Sequence, residues 1–218
     1  MRAPAQCGEI LEESGSYPRV TADSPTPPSF RAFVAVVPPL SAKTELEAVV
    51  RQLRQRDTDE AVRWVATDAL HITLAFLGQI TESAAAPLID ALRKETAGVE
   101  SFELGLGSLG TFGDRRRKGG AQVVWAGPEG DVDGLSSLYE RVTAAVRSVR
   151  LRVESRAFQP HITLGRVRRG HRWRLDPINA PSISSITFRV DSVTLMESQL
   201  GKGPAVYISR RQVSLSEP

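Results

Sequence analysis

Cysteine and histidine are both scarce in this sequence, and their scarcity narrows the chemistry that the chain can perform. The one cysteine, Cys7, cannot form an internal disulfide, which is typical of a protein from a reducing, cytoplasmic compartment. Only 3 histidines occur among 218 residues, whereas a zinc site usually needs about three or four protein ligands. Carboxylates could complete such a site, but no ligand spacing indicates one. We therefore expect neither a metal nor another cofactor.

Long apolar runs are missing as well. No stretch approaches the roughly 20 apolar residues that span a bilayer. Glu9, Glu12 and Glu13 interrupt the apolar character that a secretory signal would need. Hydrophobic residues make up 41% of the chain and charged residues 24%, which is typical of a globular protein with a sizeable core. We expect a cytoplasmic monomer that does not enter a membrane.

A glycine-rich phosphate loop is also absent, because Gly105-Leu-Gly107 has neither the lysine nor the helix start that such a loop needs. The net charge of +3 is a weak guide to partners. Local clusters of basic residues are more informative: Arg115, Arg116, Arg117 and Lys118 form one, and Arg166, Arg168, Arg169, Arg172 and Arg174 form another. Two interpretations of these clusters carry equal weight, namely solvated loops and contacts to the backbone of a polyanion.

The tetrapeptide His-Ile-Thr-Leu occurs twice, at His71–Leu74 and at His161–Leu164. Two of the three histidines therefore head identical motifs, and both motifs have apolar flanks. Because side chains alternate along a strand, the histidine and threonine of each copy should lie on one face, with the isoleucine and leucine on the other. A fold that joins the two strands would place two imidazoles and two hydroxyls around one cleft.

Hydrophobic periodicity predicts the elements around the motifs. Residues 1–29 are rich in Pro, Ser, Thr and Glu, and we expect a disordered or loosely docked extension there. A buried strand should occupy 31–37, followed by a helix to about Arg56 that buries Leu46, Val49, Val50 and Leu53. Further strands are predicted at 62–65, 70–77, 102–107, 122–125, 158–167, 185–196 and 205–213, and helices at 81–96 and 135–148, with a basic loop at 113–120 and a turn at 131–134.

The two halves of the chain therefore repeat one order of elements, in which a strand, a helix and a second strand precede each His-Ile-Thr-Leu strand. The copies are too far apart for a solenoid repeat, and the spacing suits a duplicated lobe. We predict an α+β fold in which two antiparallel sheets face a central cleft and the helices lie outside. One bilobal domain should cover 30–213, followed by a short tail at 214–218.

The spacing of the motif residues suits proton transfer at a phosphorus atom. An ordinary histidine pKa near 6.5 allows one imidazole to be neutral while the other is protonated. Such a pair can activate a nucleophile and protonate a leaving oxygen, each transfer being typically worth about 10²–10⁴-fold in rate. A threonine on the same face can donate to a non-bridging phosphate oxygen. The alternative is that His71 and His161 are structural, but repetition of the whole motif favours catalysis. His171, in a basic segment, is interpreted as a loop residue.

At these residues the chain resembles the two-histidine (2H) phosphoesterase superfamily, whose members carry paired His-x-Thr motifs. Within it, the chain is similar to the bacterial RNA 2',3'-cyclic phosphodiesterases, historically called 2'-5' RNA ligases. The similarity runs from about Phe30 to Val213, and includes Arg31-Ala-Phe-Val-Ala-Val, Val62-Arg-Trp-Val, His71-Ile-Thr-Leu-Ala-Phe-Leu-Gly78, Gln122-Val-Val-Trp125, Phe158-Gln-Pro-His-Ile-Thr-Leu-Gly-Arg166 and Val193-Thr-Leu-Met-Glu-Ser198.

The resemblance implies a bilobal fold with a water-filled cleft and metal-independent hydrolysis of an RNA 2',3'-cyclic phosphate to a 2'-phosphate. It assigns His71 as the proton donor, His161 as the proton acceptor, and Thr73 and Thr163 as phosphate-binding residues. The partners would be RNA ends or nucleotides that carry a 2',3'-cyclic phosphate. Candidate RNA contacts are Arg115, Arg116, Arg117, Lys118, Arg166 and Arg168.

Two departures from the family pattern bear on the substrate. Ala75 stands where many relatives carry a basic residue, which predicts the loss of one substrate contact. The loop at 113–120 is unusually basic, which bears on the preferred RNA length. Two alternatives to the cyclic phosphodiesterase stay open: a related 2H enzyme that acts on cyclic nucleotides or 2'-5' linkages, including reversible 2'-5' RNA ligation, and a non-catalytic RNA-binding module.

Overall fold

A computed structural model describes residues 28–113, 122–154, 156–201 and 205–217. Cys7, the basic run from Arg115 to Lys118, and almost all of the expected N-terminal extension lie outside the described residues. Those predictions therefore stay predictions.

The described chain contains nine strands and three helices. The strands are β1 (Ser29–Val36), β2 (Val62–Trp64), β3 (Ile72–Thr81), β4 (Phe102–Phe112), β5 (Val123–Gly130), β6 (Ile162–Val167), β7 (Thr187–Val190), β8 (Ser192–Gln199) and β9 (Val206–Ser214). The helices are α1 (Leu40–Gln55), α2 (Glu82–Thr96) and α3 (Val132–Ser148), and a single 3-10 turn spans Thr67–Ala69.

The helices form because each has one apolar stripe that the core can cover. Helix α1 buries Ala42 and the four residues that its periodicity predicts, Leu46, Val49, Val50 and Leu53. Helix α2 buries Leu88, Ile89 and Leu92 even though Pro87 lies inside it. Helix α3 begins at Val132, inside the predicted turn, because the Asp131 carboxylate accepts a hydrogen bond from the Gly134 N–H at 2.7 Å and caps the first turn.

The strands follow the order β7-β4-β5-β6-β3-β1-β8-β9, and β2 also pairs with β6. Every pairing between these strands is antiparallel, which confirms the predicted α+β class. A single residue pair, Ile72 and Ile162, joins β3 to β6. The predicted lobes are therefore the two halves of one nine-stranded sheet, and each half contributes one His-Ile-Thr-Leu strand. The predicted repeat of one element order is wrong, because β1, α1 and β2 precede the first motif strand whereas β4, β5 and α3 precede the second.

Both motif strands carry a β-bulge at the same residue of the motif. Thr73 pairs with Ala35 and Ala75 with Val34, so Leu74 is the extra residue on β3. In the same way Thr163 pairs with Trp125 and Gly165 with Val124, so Leu164 is the extra residue on β6. The bulge buries two consecutive residues and reverses the alternation after them. The residue five positions after each histidine, Phe76 or Arg166, is thereby returned to the exposed face.

Some boundaries differ from the periodicity. The first motif strand does not stop at Gly78 but continues to Thr81, because Gly78 adopts φ +69° at a second bulge, where the strand changes register and goes on. The second motif strand starts at Ile162 rather than at 158. The long strand predicted at 185–196 is two short strands, β7 and β8, that separate at Asp191 and pair with different neighbours.

The three α-helices pack on the face of the sheet opposite the cavity that contains the motif residues. None of the residues of α1, α2 or α3 lines that cavity. None of these helices is both long enough and apolar enough to cross a membrane.

Candidate active site

The two motif strands open onto one cavity of about 540 Å³. Its lining includes His71 and Thr73 from the start of β3, and His161 and Thr163 from the start of β6. The four residues come together because β3 and β6 meet only at Ile72 and Ile162, whose buried side chains point to the opposite face. The structure thus brings all four motif residues to a single site.

Each imidazole is held by a backbone carbonyl two residues earlier in the chain. His71 Nδ1 lies 2.8 Å from the Ala69 carbonyl oxygen, and His161 Nδ1 lies 2.8 Å from that of Gln159. A carbonyl oxygen only accepts, so Nδ1 must carry the hydrogen in both rings. This arrangement leaves Nε2 of each ring for the substrate. A neutral ring can accept a proton there, and a charged ring can donate one.

Aromatic rings brace both imidazoles. His71 packs against Phe33 at 4.7 Å between ring centroids and against the edge of Tyr207 at 5.0 Å. His161 has Phe112 against it at 5.0 Å, and Phe112 in turn stacks on Trp125. These contacts restrict the rotation of the two rings, so Nε2 keeps its direction toward the cavity.

Burial makes His71 reluctant to accept a proton. Desolvation lowers its pKa from 6.5 to about 4, against an opposing contribution from the hydrogen bond to Ala69. The neighbouring groups His161, Lys43 and Arg166 also contribute to this lowering. His71 is therefore largely neutral at pH 7 while the cavity is empty. An anionic phosphate would act in the opposite direction, because an opposite charge favours the protonated ring.

Lys43 of α1 also acts on His71. Its ammonium donates a hydrogen bond to the Asp68 carbonyl oxygen at 3.2 Å. Asp68 lies in the 3-10 turn, next to Ala69, whose carbonyl oxygen accepts from His71. Partial burial lowers the pKa of Lys43, and the Asp68 carboxylate acts in the opposite direction. Lys43 lines a second cavity of about 370 Å³, which shares the Tyr207 ring with the first. Lys43 thus links α1 to the turn that holds His71.

The two bulges give the cavity two different ends. Phe76 and Arg166 occupy equivalent positions in the two motif strands, and both line the cavity. Phe76 is 49% exposed, which is unusual for a phenylalanine. Ala75, by contrast, is buried, so the residue for which a substrate contact was considered faces the core in this chain. The side chain that reaches the cavity is the next one, Phe76.

Three arginines, Arg31, Arg63 and Arg166, line the cavity, and no aspartate or glutamate is among its described lining residues. Of the candidate RNA contacts, Arg166 therefore lies in the cavity. Arg168 does not; it lies in a shallow pocket beside β2, together with Arg54 and Arg63. A cavity with cationic and neutral walls attracts anions.

Arg63 and the residues that hold it were missed by sequence reasoning. The Asp57 carboxylate is buried and accepts hydrogen bonds from the N–H groups of Ala61 and Val62, both at 2.9 Å. It also accepts one from the Trp64 indole N–H at 3.3 Å. The alternation of Val62-Arg-Trp64 predicts an exposed Arg63 on a short strand. The sequence pattern could not show that this short strand would pair with the second motif strand.

Across the described ranges, no three His, Cys, Asp or Glu side chains are grouped closely enough to hold a metal ion.

Comparison with known proteins places this geometry among phosphoesterases. The family model described as LigT like Phosphoesterase matches residues 36–122 and 127–207. The RNA 2',3'-cyclic phosphodiesterase of Geobacillus stearothermophilus is 32% identical over 142 residues, which is 65% of this chain and 44% of that protein. The protein of the same name from Thermotoga maritima is 30% identical over 138 residues, covering 63% of this chain and 70% of that one. The aligned region thus spans less than half the length of the Geobacillus protein.

Solved structures agree in fold. The crystal structure of E. coli LigT complexed with 3'-AMP matches with a TM-score of 0.71 and 26% identity, covering 87% of this chain and 100% of that chain. The crystal structure of a Thermus thermophilus protein matches with a TM-score of 0.68 and 24% identity, covering 86% of this chain and 98% of that one. The second likeness is one of fold alone.

Proposed function

The chain belongs to the LigT-like phosphoesterase family, and on that premise we propose that it is an RNA 2',3'-cyclic phosphodiesterase. It hydrolyses the cyclic phosphate at an RNA end to a 2'-phosphomonoester, with a free 3'-hydroxyl. The observation that carries the proposal is the meeting of two His-x-Thr strands in one cavity that has three arginines and no described carboxylate. Relatives that bear this enzyme's name support it.

The reaction uses the free Nε2 atoms of the two imidazoles. Neutral His161 removes a proton from a water molecule as its oxygen attacks the phosphorus. The bond from phosphorus to O3' breaks, and protonated His71 donates its Nε2 proton to the departing O3'. The atoms balance, since one water molecule is consumed and one phosphomonoester and one hydroxyl are formed. The hydroxyls of Thr73 and Thr163 donate to the non-bridging oxygens, where negative charge increases in the transition state.

The low pKa of His71 determines when it can serve as the donor. In the empty cavity its pKa is about 4, so the protonated form is scarce at neutral pH. The substrate carries its own negative charge to the site, and this charge raises the pKa of a nearby imidazole. Protonation of the donor is therefore coupled to substrate binding.

The test is an analysis of the product end. Purified protein is incubated, in the presence of EDTA, with a 5'-labelled oligonucleotide that ends in a 2',3'-cyclic phosphate. We expect a product whose label survives and whose end is a 2'-phosphate, resistant to a 3'-phosphate-specific phosphatase. Lack of turnover, or turnover only after a divalent metal is added, would count against the proposal. The same protein is expected to be cytoplasmic, which the single cysteine supports, and to be a monomer.

A further inference from the structure

Two arginines lie side by side on the paired strands β2 and β6 at one end of the cavity. Arg63 on β2 and Arg166 on β6 are directly paired in an antiparallel ladder. Directly opposite residues project from the same face of a sheet, with Cβ atoms only about 4.5–5.5 Å apart. Both side chains are exposed, and both line the cavity that holds the two histidines.

Like charges at directly opposite positions destabilise a sheet unless something neutralises them. In the described part of the chain, neither guanidinium lies within ion-pair distance of a carboxylate. Arg63 does border a shallow pocket that contains Asp57 and Glu60. The Asp57 carboxylate, however, is already occupied by three N–H donors. An anion bound between the two guanidinium groups would remove the repulsion.

The strand that carries Arg63 is fixed rather than loose. Asp57 holds the backbone of Ala61 and Val62 and the indole of Trp64, which is the residue after Arg63. Trp64 pairs with Gly165, where a Cβ would lie 2.5 Å from Val62 Cγ1 and 3.0 Å from Trp64 Cε3. The glycine thus allows β2 to lie close against β6. The backbone positions of the two arginines are therefore fixed before any ligand binds.

The backbone positions of the arginine pair are displaced along the motif strand from the junction at Ile72 and Ile162, although the charge of Arg166 still acts on His71. Strands β3 and β6 are antiparallel at Ile72 and Ile162 and leave that pair in opposite directions. Arg166 lies four residues along β6 from this pair, which corresponds to roughly 13 Å of strand. Phe76 lies equally far along β3 on the other side. The arginine pair and Phe76 therefore lie toward opposite ends of the cavity with the histidines between them, and Arg31, which pairs with Gln79, is on the Phe76 side.

We propose that Arg63 and Arg166 form a second phosphate subsite, which binds the internucleotide phosphate nearest the cyclic end of an RNA. The inference rests on the proposed function, and it makes the preferred substrate an oligonucleotide rather than a nucleoside 2',3'-cyclic phosphate. Guanidinium groups suit this role because their N–H donors match the geometry of phosphate oxygens. Binding at this subsite anchors the RNA without touching the reacting atoms, so it acts mainly on KM.

The experiment compares three substrates. They are the dinucleotide ApA ending in a 2',3'-cyclic phosphate, the same dinucleotide with an uncharged methylphosphonate linkage, and adenosine 2',3'-cyclic phosphate. We expect the wild-type kcat/KM for the charged dinucleotide to exceed that for each of the other two by about tenfold or more, as charged hydrogen bonds contribute. Comparable values for all three would overturn the second subsite. If none of the three substrates is hydrolysed, the proposed function itself is overturned.

Variants then assign the effect to Arg63. In Arg63→Gln we expect the preference for the charged over the methylphosphonate dinucleotide to fall about tenfold, mainly through KM, and Arg63→Lys should retain part of it. Arg147→Gln, on the exposed face of α3, is the matched control and should keep the full preference. If Arg63→Gln lowered kcat/KM for all three substrates by one factor, Arg63 would serve the reacting phosphate, and the second subsite would be wrong.

Discussion

Phe76 and Arg166 occupy the same position in the two copies of the motif strand, each five residues after its histidine and each on the cavity side of a bulge. The surrounding burial pattern is the same in both strands, from Ile72 to Leu77 and from Ile162 to Val167. The two strands thus share one burial pattern and the His-x-Thr residues, but the exposed position is aromatic in β3 and cationic in β6. This difference makes the two ends of the cavity chemically distinct, and under the proposed function it would orient a bound RNA end.

The exposed Phe76 is expected to stack on a nucleobase of the substrate. Stacking of a base on an aromatic side chain contributes about 1–3 kcal/mol. Phe76→Ala should therefore raise KM for a cyclic-phosphate dinucleotide about tenfold and leave the unfolding midpoint nearly unchanged, whereas Phe76→Tyr should retain most of the affinity. Steady-state kinetics and urea unfolding measure the two effects. An unchanged KM in Phe76→Ala would exclude stacking at this position.

The two motif histidines are expected to act as a unit. His71→Ala and His161→Ala should each lower kcat by about 10²–10⁴-fold, and the double variant should lose little more than either single variant. Single-turnover hydrolysis of a cyclic-phosphate RNA gives the rates. His171→Ala is the matched control, because His171 is exposed in a loop outside the cavity, and it should retain the wild-type rate. Additive losses in the double variant would contradict paired proton transfer.

The lowered pKa of His71 predicts that acid destabilises the protein. Between pH 6.5 and about pH 4 the unfolded chain binds a proton at this position and the folded chain does not. The stability contributed by neutral His71 is therefore present above pH 6.5 and lost as the pH falls through this window. His71→Gln should lose less stability than the wild type between pH 7 and pH 4.5 in urea unfolding. Equal losses would contradict a lowered pKa.

Lys43 is expected to help keep His71 neutral. Its charge lowers the pKa of that histidine, and its ammonium holds the turn that orients the ring. Lys43→Met should therefore raise the pKa of His71, as followed by the NMR shift of the ring Cε1 proton, while Lys94→Met on exposed α2 should not. Addition of inorganic phosphate should raise the same pKa in the wild type. No change in Lys43→Met would show that burial alone sets the value.

Asp57 is expected to contribute to stability rather than to chemistry. Asp57→Ala leaves two backbone N–H groups and one indole N–H without their acceptor, and the cost should be about 3 kcal/mol. Asp57→Asn keeps one acceptor oxygen and should lose about half as much. Urea unfolding with an unchanged m value measures both changes. Asp59→Asn, an exposed neighbour, should be neutral.

The fold class and most of the elements follow from periodicity, because apolar stripes such as Leu46, Val49, Val50 and Leu53 report burial directly. The bulges at Leu74 and Leu164 could not be predicted in this way. Strict alternation would place Ala75 on the cavity side. Whether a strand contains an extra residue depends on its register with the neighbouring strand. The positions where the alternation breaks can therefore be identified only from the observed strand pairing.

The motif residues of the candidate site were identified by repetition, but two of its three arginines, Arg31 and Arg63, were not. Arg63 comes shortly before the first motif in the sequence, but its place depends on the pairing of β2 with β6, which is the second motif strand. Arg166 and Arg168 look alike in the sequence, yet only Arg166 reaches the cavity. The two residues leave the strand in different directions, because β6 ends at Val167. Local patterns thus name residue types, and long-range pairing selects among them.

The junction between the two halves of the sheet consists of Ile72 and Ile162, both fully buried and each adjacent to a catalytic candidate. No continuous backbone ladder sets the separation of the imidazoles, so their spacing depends on the volumes of these two isoleucines and of the core around them. A substitution that loosens this part of the core displaces the histidines as well. Natural selection for activity and for thermal stability would thus both act on these two isoleucines.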